Sequence, residues 1–420
     1  MIAQTAAKMR EHLQAFSGRL SARLSKPARR FVSEALYGIA ARGSVRLSEI
    51  GRSLEEPIPL IKTETRLSRN LARPELAVSV GEAVLAEGAG RIGERTLLVL
   101  DLSDIAKPYA QKMEHLARVR DGSTGAIADG YWLAHVVGVE NEDNAILPLY
   151  AALYSQKAPD FVSENEEIMT AVRTVATACH GRGVWVVDRG GDRGELYAPL
   201  IDEGHTFIIR NKGDRHLLIG HSPAGEAKAA TDALAASCPK FYATHIVREM
   251  QGQEVSCRLD YGFRAVRLPD HPNTPLWLVV VRGFGEKPLM LLTNIEMRRN
   301  RRTLWWAVSA YLTRWRIEET IRFIKQSYDL EDIRVMAYRR LQNMVVLVNA
   351  VAFFTAVVIG TRMKLEILAT HLITASKRLF GIPDFRYYAI ADGIREVCAR
   401  SPRRAPIAVQ PRLQLSLGFP

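Results

Sequence analysis

Two apolar runs in this chain each end on an aspartate: TLLVLDLSD, from Thr96 to Asp104, and VWVVD, which closes at Asp188. Neither alternates polar with apolar residues, so neither reads as a strand with one wet face, and both are short for a buried helix. They read as strands buried on both sides, the pattern of a sheet covered by helices on each face. A carboxylate at the carboxyl end of such a strand falls in the crevice where open α/β sheets place their ligands. Aspartate is also an ordinary turn former at strand ends, so either position alone decides little.

The surrounding pattern extends this core. YWLAHVVGV and AILPLYAALYS, separated by the turn-like ENEDN, suit two strands of a hairpin. Glu164 to Cys179 reads as a helix, Leu196 to Gly204 as another, and HTFIIR (His205 to Arg210) as a short strand. Strands first, then helix alternating with strand, imply an α/β fold with a mixed sheet flanked by helices. Between Gly213 and Asn294 the helical signal fades, and short runs bounded by Gly, Pro and Asn predict a β-rich insertion. Helical character returns at Arg302 and holds to about Arg400; the tail after Ser401, with four prolines, is expected to be poorly ordered. The domains expected are therefore a helical region at 1–90, a core in two pieces at 91–212 and 295–345, the insertion at 213–294, and a helical C-terminal region at 346–420 that is a candidate for dimerisation.

The N-terminal region carries three helical runs: Arg29 to Arg42 closed by Gly43, Leu47 to Leu54, and Leu60 to Leu71. The last two resemble a helix-turn-helix, with Lys62, Arg66 and Arg69 on the candidate recognition helix; a plain bundle with a basic face is the alternative. Charge favours a polyanionic partner. The formal net charge is +12 over 420 residues, and clusters such as Arg298 to Arg302 (RRNRR) exceed scattered surface lysines. Nucleic acid comes first among such partners and an anionic membrane surface second. The four cysteines are far apart with no CxxC spacing, which argues against a structural zinc site and suits free thiols in a reducing cytoplasm. No secretory leader is expected at the N-terminus. Asn343 to Gly360 is nearly long enough to span a bilayer, but two asparagines and a threonine interrupt it, and a buried helix is the better expectation.

A third element joins the two aspartates. In YLTRWRIEETIRFIKQSY (Tyr311 to Tyr328), residues Tyr311, Arg314, Glu318 and Lys325 fall within roughly 60° of one another on a continuous helix, with Arg322 at the edge of that stripe. Trp306, Ala310, Thr313, Ile317, Ile321, Ile324 and Tyr328 form an apolar stripe beside it. Pairing of Glu318 with Arg314 and Arg322 is ordinary helix chemistry; a tyrosine and a lysine on the same face are not needed for it. Two aspartates and a glutamate can hold two divalent ions about 3.5–4 Å apart, the arrangement used for in-line displacement at phosphorus. Hard Mg2+ suits an all-carboxylate set, and Mn2+ can substitute. Arginine and lysine nearby can clamp the flanking phosphates.

The spacing Y-(2)-R-(3)-E-(6)-K, met by Tyr311, Arg314, Glu318 and Lys325, resembles the signature of bacterial DDE transposases of the insertion-sequence "family four" group. DRGGD (Asp188 to Asp192) is similar to that family's second motif, and Asp101 is a first aspartate on a strand near position 100. The resemblance covers roughly residues 95 to 330. One departure is Gly190, where the family often carries glutamate. Asp104 rivals Asp101 for the first position, which the sequence assigns to Asp101 because it closes the strand; Asp192 and Glu319 are lesser alternates.

The resemblance implies an RNase H-like core in which Asp101, Asp188 and Glu318 hold the metal. Tyr311, Arg314 and Lys325 would hold DNA phosphates and a flipped base, with Arg210 and Arg322 as further phosphate contacts and Trp277, Trp305 or Phe284 as the stacking aromatic. The implied activity is cut-and-paste transposition: cleavage at the element's ends, a hairpin intermediate, and joining to target DNA. The expected partners are the element's inverted-repeat ends and target DNA, held by a homodimer in the bacterial cytoplasm. The competing readings are an RNase H-like nuclease that never joins ends, and a catalytically silent DNA-binding derivative.

Overall fold

Both aspartate-terminated runs are buried whichever way their side chains point: Leu97 to Leu100 and Val184 to Val187 are each at most 5% exposed. The computed structural model describes residues 2–122, 124–140, 145–220, 227–250, 253–374 and 387–401. The proline-containing tail after Ser401 and most of the ENEDN turn lie outside these residues.

Five helices precede the sheet: α1 (Ile2–Leu20), α2 (Lys26–Arg42), α3 (Leu47–Ser53), α4 (Leu60–Leu71) and α5 (Leu76–Ala89). Gly43 ends α2 in the left-handed conformation, φ 59°, and returns its N–H to Ile39 O, the geometry that glycine adopts without strain. The core then follows as β1 (Leu97–Ala106), β2 (Ala117–Arg120), β3 (Ile127–Val139), β4 (Ile146–Tyr154), α6 (Glu164–Ala178), β5 (Val184–Val187), α7 (Gly194–Asp202) and β6 (Phe207–Arg210). β1 pairs antiparallel with β3, and β3 with β4. β5 lies parallel to β1 on its other side, and β6 parallel to β5. The order β4-β3-β1-β5-β6, with three antiparallel strands followed by two parallel ones, is that of an RNase H-like core.

After β6 come β7 (His216–Ile219), β8 (Ala227–Ala230), α8 (Thr231–Ala236), β9 (Tyr242–Met250), β10 (Gln253–Leu268), β11 (His271–Arg282) and β12 (Leu289–Thr293). β12 pairs antiparallel with β6, so these strands extend the core sheet outward through β11 and β10, to twelve strands among the described residues. The chain then returns through α9 (Arg301–Leu312), α10 (Trp315–Ser327), α11 (Tyr338–Phe353), α12 (Gly360–Thr374) and α13 (Tyr387–Arg400).

Alternation along the strands sorts the core into two layers. Leu98, Leu100, Trp185, Val187 and Ile209 pack against α6 and α7. Leu97, Val99, Val184, Val186 and Ile208 face a cluster that includes α10, α11 and the N-terminal helices. Tyr338–Val358 is long and apolar enough to cross a membrane, yet 83% of its apolar window is buried inside the fold. Its two asparagines have internal partners. Asn343 donates to Leu71 O at 2.7 Å and Arg73 O at 2.9 Å and accepts from Ala77 N, while Asn349 reaches Pro148 O.

Two expectations need correction. β1 does not close at Asp101 but runs on to Ala106, because β3 keeps pairing with it as far as Gly130. What ends near Asp101 is the parallel pairing with β5, whose last partners are Leu100 and Val187. The run Tyr311 to Tyr328 is not one helix either. α9 ends at Leu312 and α10 starts at Trp315, with tightened bonds from Arg314 N to Tyr311 O and from Arg316 N to Thr313 O at the joint. Thr313 turns its hydroxyl back to Ser309 O there, a local bond that competes with regular helix.

Candidate active site

Because Leu100 and Val187 are register partners on parallel strands, the residues that follow them, Asp101 and Asp188, stand side by side where β5 ends and its pairing with β1 stops. Asp188 leaves β5 as the N-cap of a single tight turn, Arg189–Gly191, and its Oδ1 accepts the Gly190 N–H at 2.7 Å. A Cβ at position 190 would lie 2.8 Å from that oxygen. The turn therefore brings backbone against the carboxylate too closely for the glutamate that the resemblance leads one to expect. Gly191 is equally constrained, its Cβ position being 2.6 Å from Val187 Cγ1.

Glu318 arrives from the other side, in the first turn of α10. That helix lies on the sheet face of β1 and β3 through Ile317, Ile321 and Ile324, each at most 8% exposed. Arg314, at the joint of α9 and α10, spans the carboxylates: Nη1 is 3.7 Å from Asp101 Oδ2, and Nη2 pairs with Glu318. Tyr311, 6% exposed, shares a hydrogen bond with the Arg210 side chain and lies within the field of Asp188. Burial raises its pKa, against the opposing charges of Arg314 and Arg210. Five of the residues singled out from sequence thus converge with Asp101: Asp188, Glu318, Tyr311, Arg314 and Arg210.

Electrostatics identify Asp101 as the strained member. Its carboxyl is pushed up to about 7, first by burial and then by the negative charges of Asp188 and Glu318, with Arg314 opposing. Like charges crowded at a partly buried point are what a divalent cation relieves, and the oxygen-only donor set suits a hard ion. Asp101, Asp188 and Glu318 therefore fit a metal in charge and donor type. Among the described residues, however, no three such groups are already gathered at ligating distance, and Arg314 lies between Asp101 and Glu318.

The other candidates are placed elsewhere. Asp192 is consumed inside the protein: its side chain is 1% exposed, pairs with Arg215, and accepts the Lys212 N–H at 2.7 Å. Arg215 in turn lies 4.9 Å over the Tyr197 ring. Glu319 pairs with Arg322 at 2.5 Å, and both lie within the field of the Tyr388 hydroxyl on α13, so Arg322 is turned from the carboxylate cluster. Lys325 and Asp104 pair with each other at 3.5 Å. His135, the register partner of Asp101 on β3, is pushed down to about 3 by burial, reinforced by the charge of Lys325, and stays neutral. On α4, Lys62 and Arg69 are exposed, whereas Arg66 is held by Glu34 and by Glu56 at 2.7 Å. Of the candidate aromatics, Trp305 lies tilted against Tyr261 with ring centroids 5.5 Å apart and Phe284 carries Arg248 at 4.3 Å, while Trp277 packs on the apolar core. Sequence reading missed Trp315, which is 44% exposed and is the first residue of α10, directly after Arg314 on the helix that carries Glu318. Its signal was hidden by the assumption of one continuous helix, which gave it no break to mark.

Residues 160–354 match the family model described as the transposase DDE domain. That match supports a DDE transposase. The matched stretch contains Asp188 and Glu318, and Asp101 lies ahead of it on β1. No curated protein matches the chain. Among solved structures it is similar to the piggyBac transposase in a cryo-EM synaptic complex with hairpin DNA, at 13% identity and a TM-score of 0.42, over 95% of this chain and 84% of that one. A likeness so distant leaves the fold to be read from the strand order itself.

Proposed function

We propose that this protein is a cut-and-paste DNA transposase of the insertion-sequence "family four" group, acting by two-metal phosphoryl transfer. The observation that carries the reading is the convergence of Asp101, Asp188 and Glu318, with Asp101 pushed up to about 7 by its surroundings. The match to the transposase DDE domain over residues 160–354 supports it. The finer group assignment rests on the Tyr311, Arg314, Glu318, Lys325 spacing.

Asp101, Asp188 and Glu318 are the residues that would hold Mg2+, or Mn2+ in its place. The chemistry those ions supply when bound is a lowered pKa for the attacking water or 3′-hydroxyl and stabilisation of the leaving oxygen. Arg314, which pairs with Asp101 and Glu318, is within reach of the crevice and would meet a DNA phosphate entering it. Tyr311 and Arg210, joined by their hydrogen bond, border the same crevice and orient the strand that enters it. Lys62 and Arg69 present cations from α4 to the DNA beyond, and Arg66 braces that helix. Cleavage at the element's ends, hairpin formation and strand transfer follow by resemblance, in a dimer that holds two ends in the bacterial cytoplasm at the nucleoid.

A strand-transfer assay separates this reading from a nuclease. Duplexes carrying pre-cut ends from the gene's own flanks, given Mg2+ and a supercoiled target plasmid, are expected to become covalently joined to the plasmid. Cleavage of uncut ends without any joined product would make the protein an RNase H-like nuclease instead.

A further inference from the structure

Lys325 does not stand free. Its Nζ is 3.0 Å from Glu331 Oε1 and 3.5 Å from Asp104 Oδ1. The two carboxylates differ in kind. The Asp104 side chain is 5% exposed and that of Glu331 is 50% exposed. Asp104 Oδ1 also accepts the Gly122 N–H, from the turn between β2 and β3, at 3.1 Å. Its Oδ2 is buried without a partner, a costly arrangement that a structural role alone does not call for. Glu331 is different again. Its backbone is pinned by the buried Lys107, whose ammonium donates to Glu331 O and to Ile333 O, the latter at 2.8 Å. The main chain is thus fixed while the carboxylate reaches into solvent.

We propose that Asp104 and Glu331 form a clamp on Lys325 with one fixed and one exchangeable jaw. The inference rests on the proposed function, in which Lys325 meets a DNA phosphate. When DNA enters, a phosphate oxygen takes the place of Glu331 on the ammonium, one singly charged oxygen anion replacing another, so the site's charge balance is kept. Asp104 stays in contact throughout and aims the lysine. It is a positioning residue, acting on the reaction through Lys325. Glu331 competes with DNA for the same cation.

The test uses the full chain, a fluorescein-labelled duplex from the gene's flanks for affinity, and single-turnover cleavage of the same duplex with Mg2+ for rate. Glu331→Gln is expected to tighten binding about threefold, the worth of an exposed ion pair, and to lose that gain in a Lys325→Ala background. Asp104→Asn is expected to leave affinity within about twofold and to slow saturated cleavage on the order of tenfold, as a misaimed group does; added to Lys325→Ala, it should slow nothing further. A Glu331→Gln gain that persists without Lys325 would overturn the clamp, as would an Asp104→Asn defect of equal size in both backgrounds. If Asp104→Asn fails to fold, the Glu331→Gln pair of measurements decides alone. Lys325→Ala without effect on either affinity or rate would overturn the assignment of Lys325 as a DNA contact, and the clamp with it.

Discussion

At the scale of single residues, Asp101 carries the sharpest consequence. A carboxyl raised to about 7 in the folded chain from an ordinary 3.8 favours the protonated form in the fold. Its favourable contribution is complete below about 4 and is lost as pH rises through 7. Metal-free protein should therefore gain stability as pH falls from 8 to 6, and Asp101→Asn should remove that part of the slope. With the side chain 23% exposed, solvent screens part of the shift, and Asp101→Asn should be more stable at pH 8 by roughly 2 kcal/mol. Thermal melts of the two proteins across that range check it; equal stability at pH 8 with parallel slopes would contradict it. Asp101 and Asp188 were legible in the sequence because each follows an apolar run that only a buried strand explains. Asp192 was not separable from them by local sequence: its partner Arg215 is 23 positions further on, and only the fold brings the two together. Gly190 was equally opaque, since its reason is the path of the Asp188 side chain around its own turn.

At the scale of elements, period and apolar length placed the helices and strands well wherever tertiary context agreed with them. α4 runs over Leu60–Leu71 as expected, and β3 and β4 pair as the two apolar runs flanking the turn-like ENEDN suggest. They failed where a tertiary contact overrides the local pattern. β1 continues past Asp101 because β3 is long enough to pair with it, and the Tyr311–Tyr328 run breaks where tightened bonds from Arg314 N and Arg316 N form the joint between α9 and α10. The α11 segment shows the opposite case, in which a sequence irregularity is a structural feature. Asn343 is fully buried and ties α11 to the chain between α4 and α5 through three hydrogen bonds. Asn343→Leu keeps the number and branching of the side-chain heavy atoms but leaves the Ala77 N–H and two carbonyls unpaired, and should cost about 2–3 kcal/mol. Urea unfolding checks this, and an unchanged midpoint would show that the apolar packing of α11 suffices without the asparagine.

At the scale of the whole molecule, one sheet connects the carboxylate crevice to the inserted strands. The pairing of β12 with β6 extends the sheet from the site residue Arg210 out through β11 and β10. The basic α4 and the carboxylate crevice belong to one fold, in which α11 packs against both α5 and the core strand β4. Net charge of +12 favours a polyanionic partner, but charge does not say where chemistry occurs. That claim rests on Glu318 joining Asp101 and Asp188. Its most direct test is Mg2+-dependent cleavage of a linear DNA that carries the gene with its native flanks. Wild-type protein should cut at the element's ends. Glu318→Ala should bind the same DNA with unchanged affinity and cut it at least about a thousandfold more slowly; cutting at the wild-type rate would remove Glu318 from the site and leave the two aspartates without their third ligand.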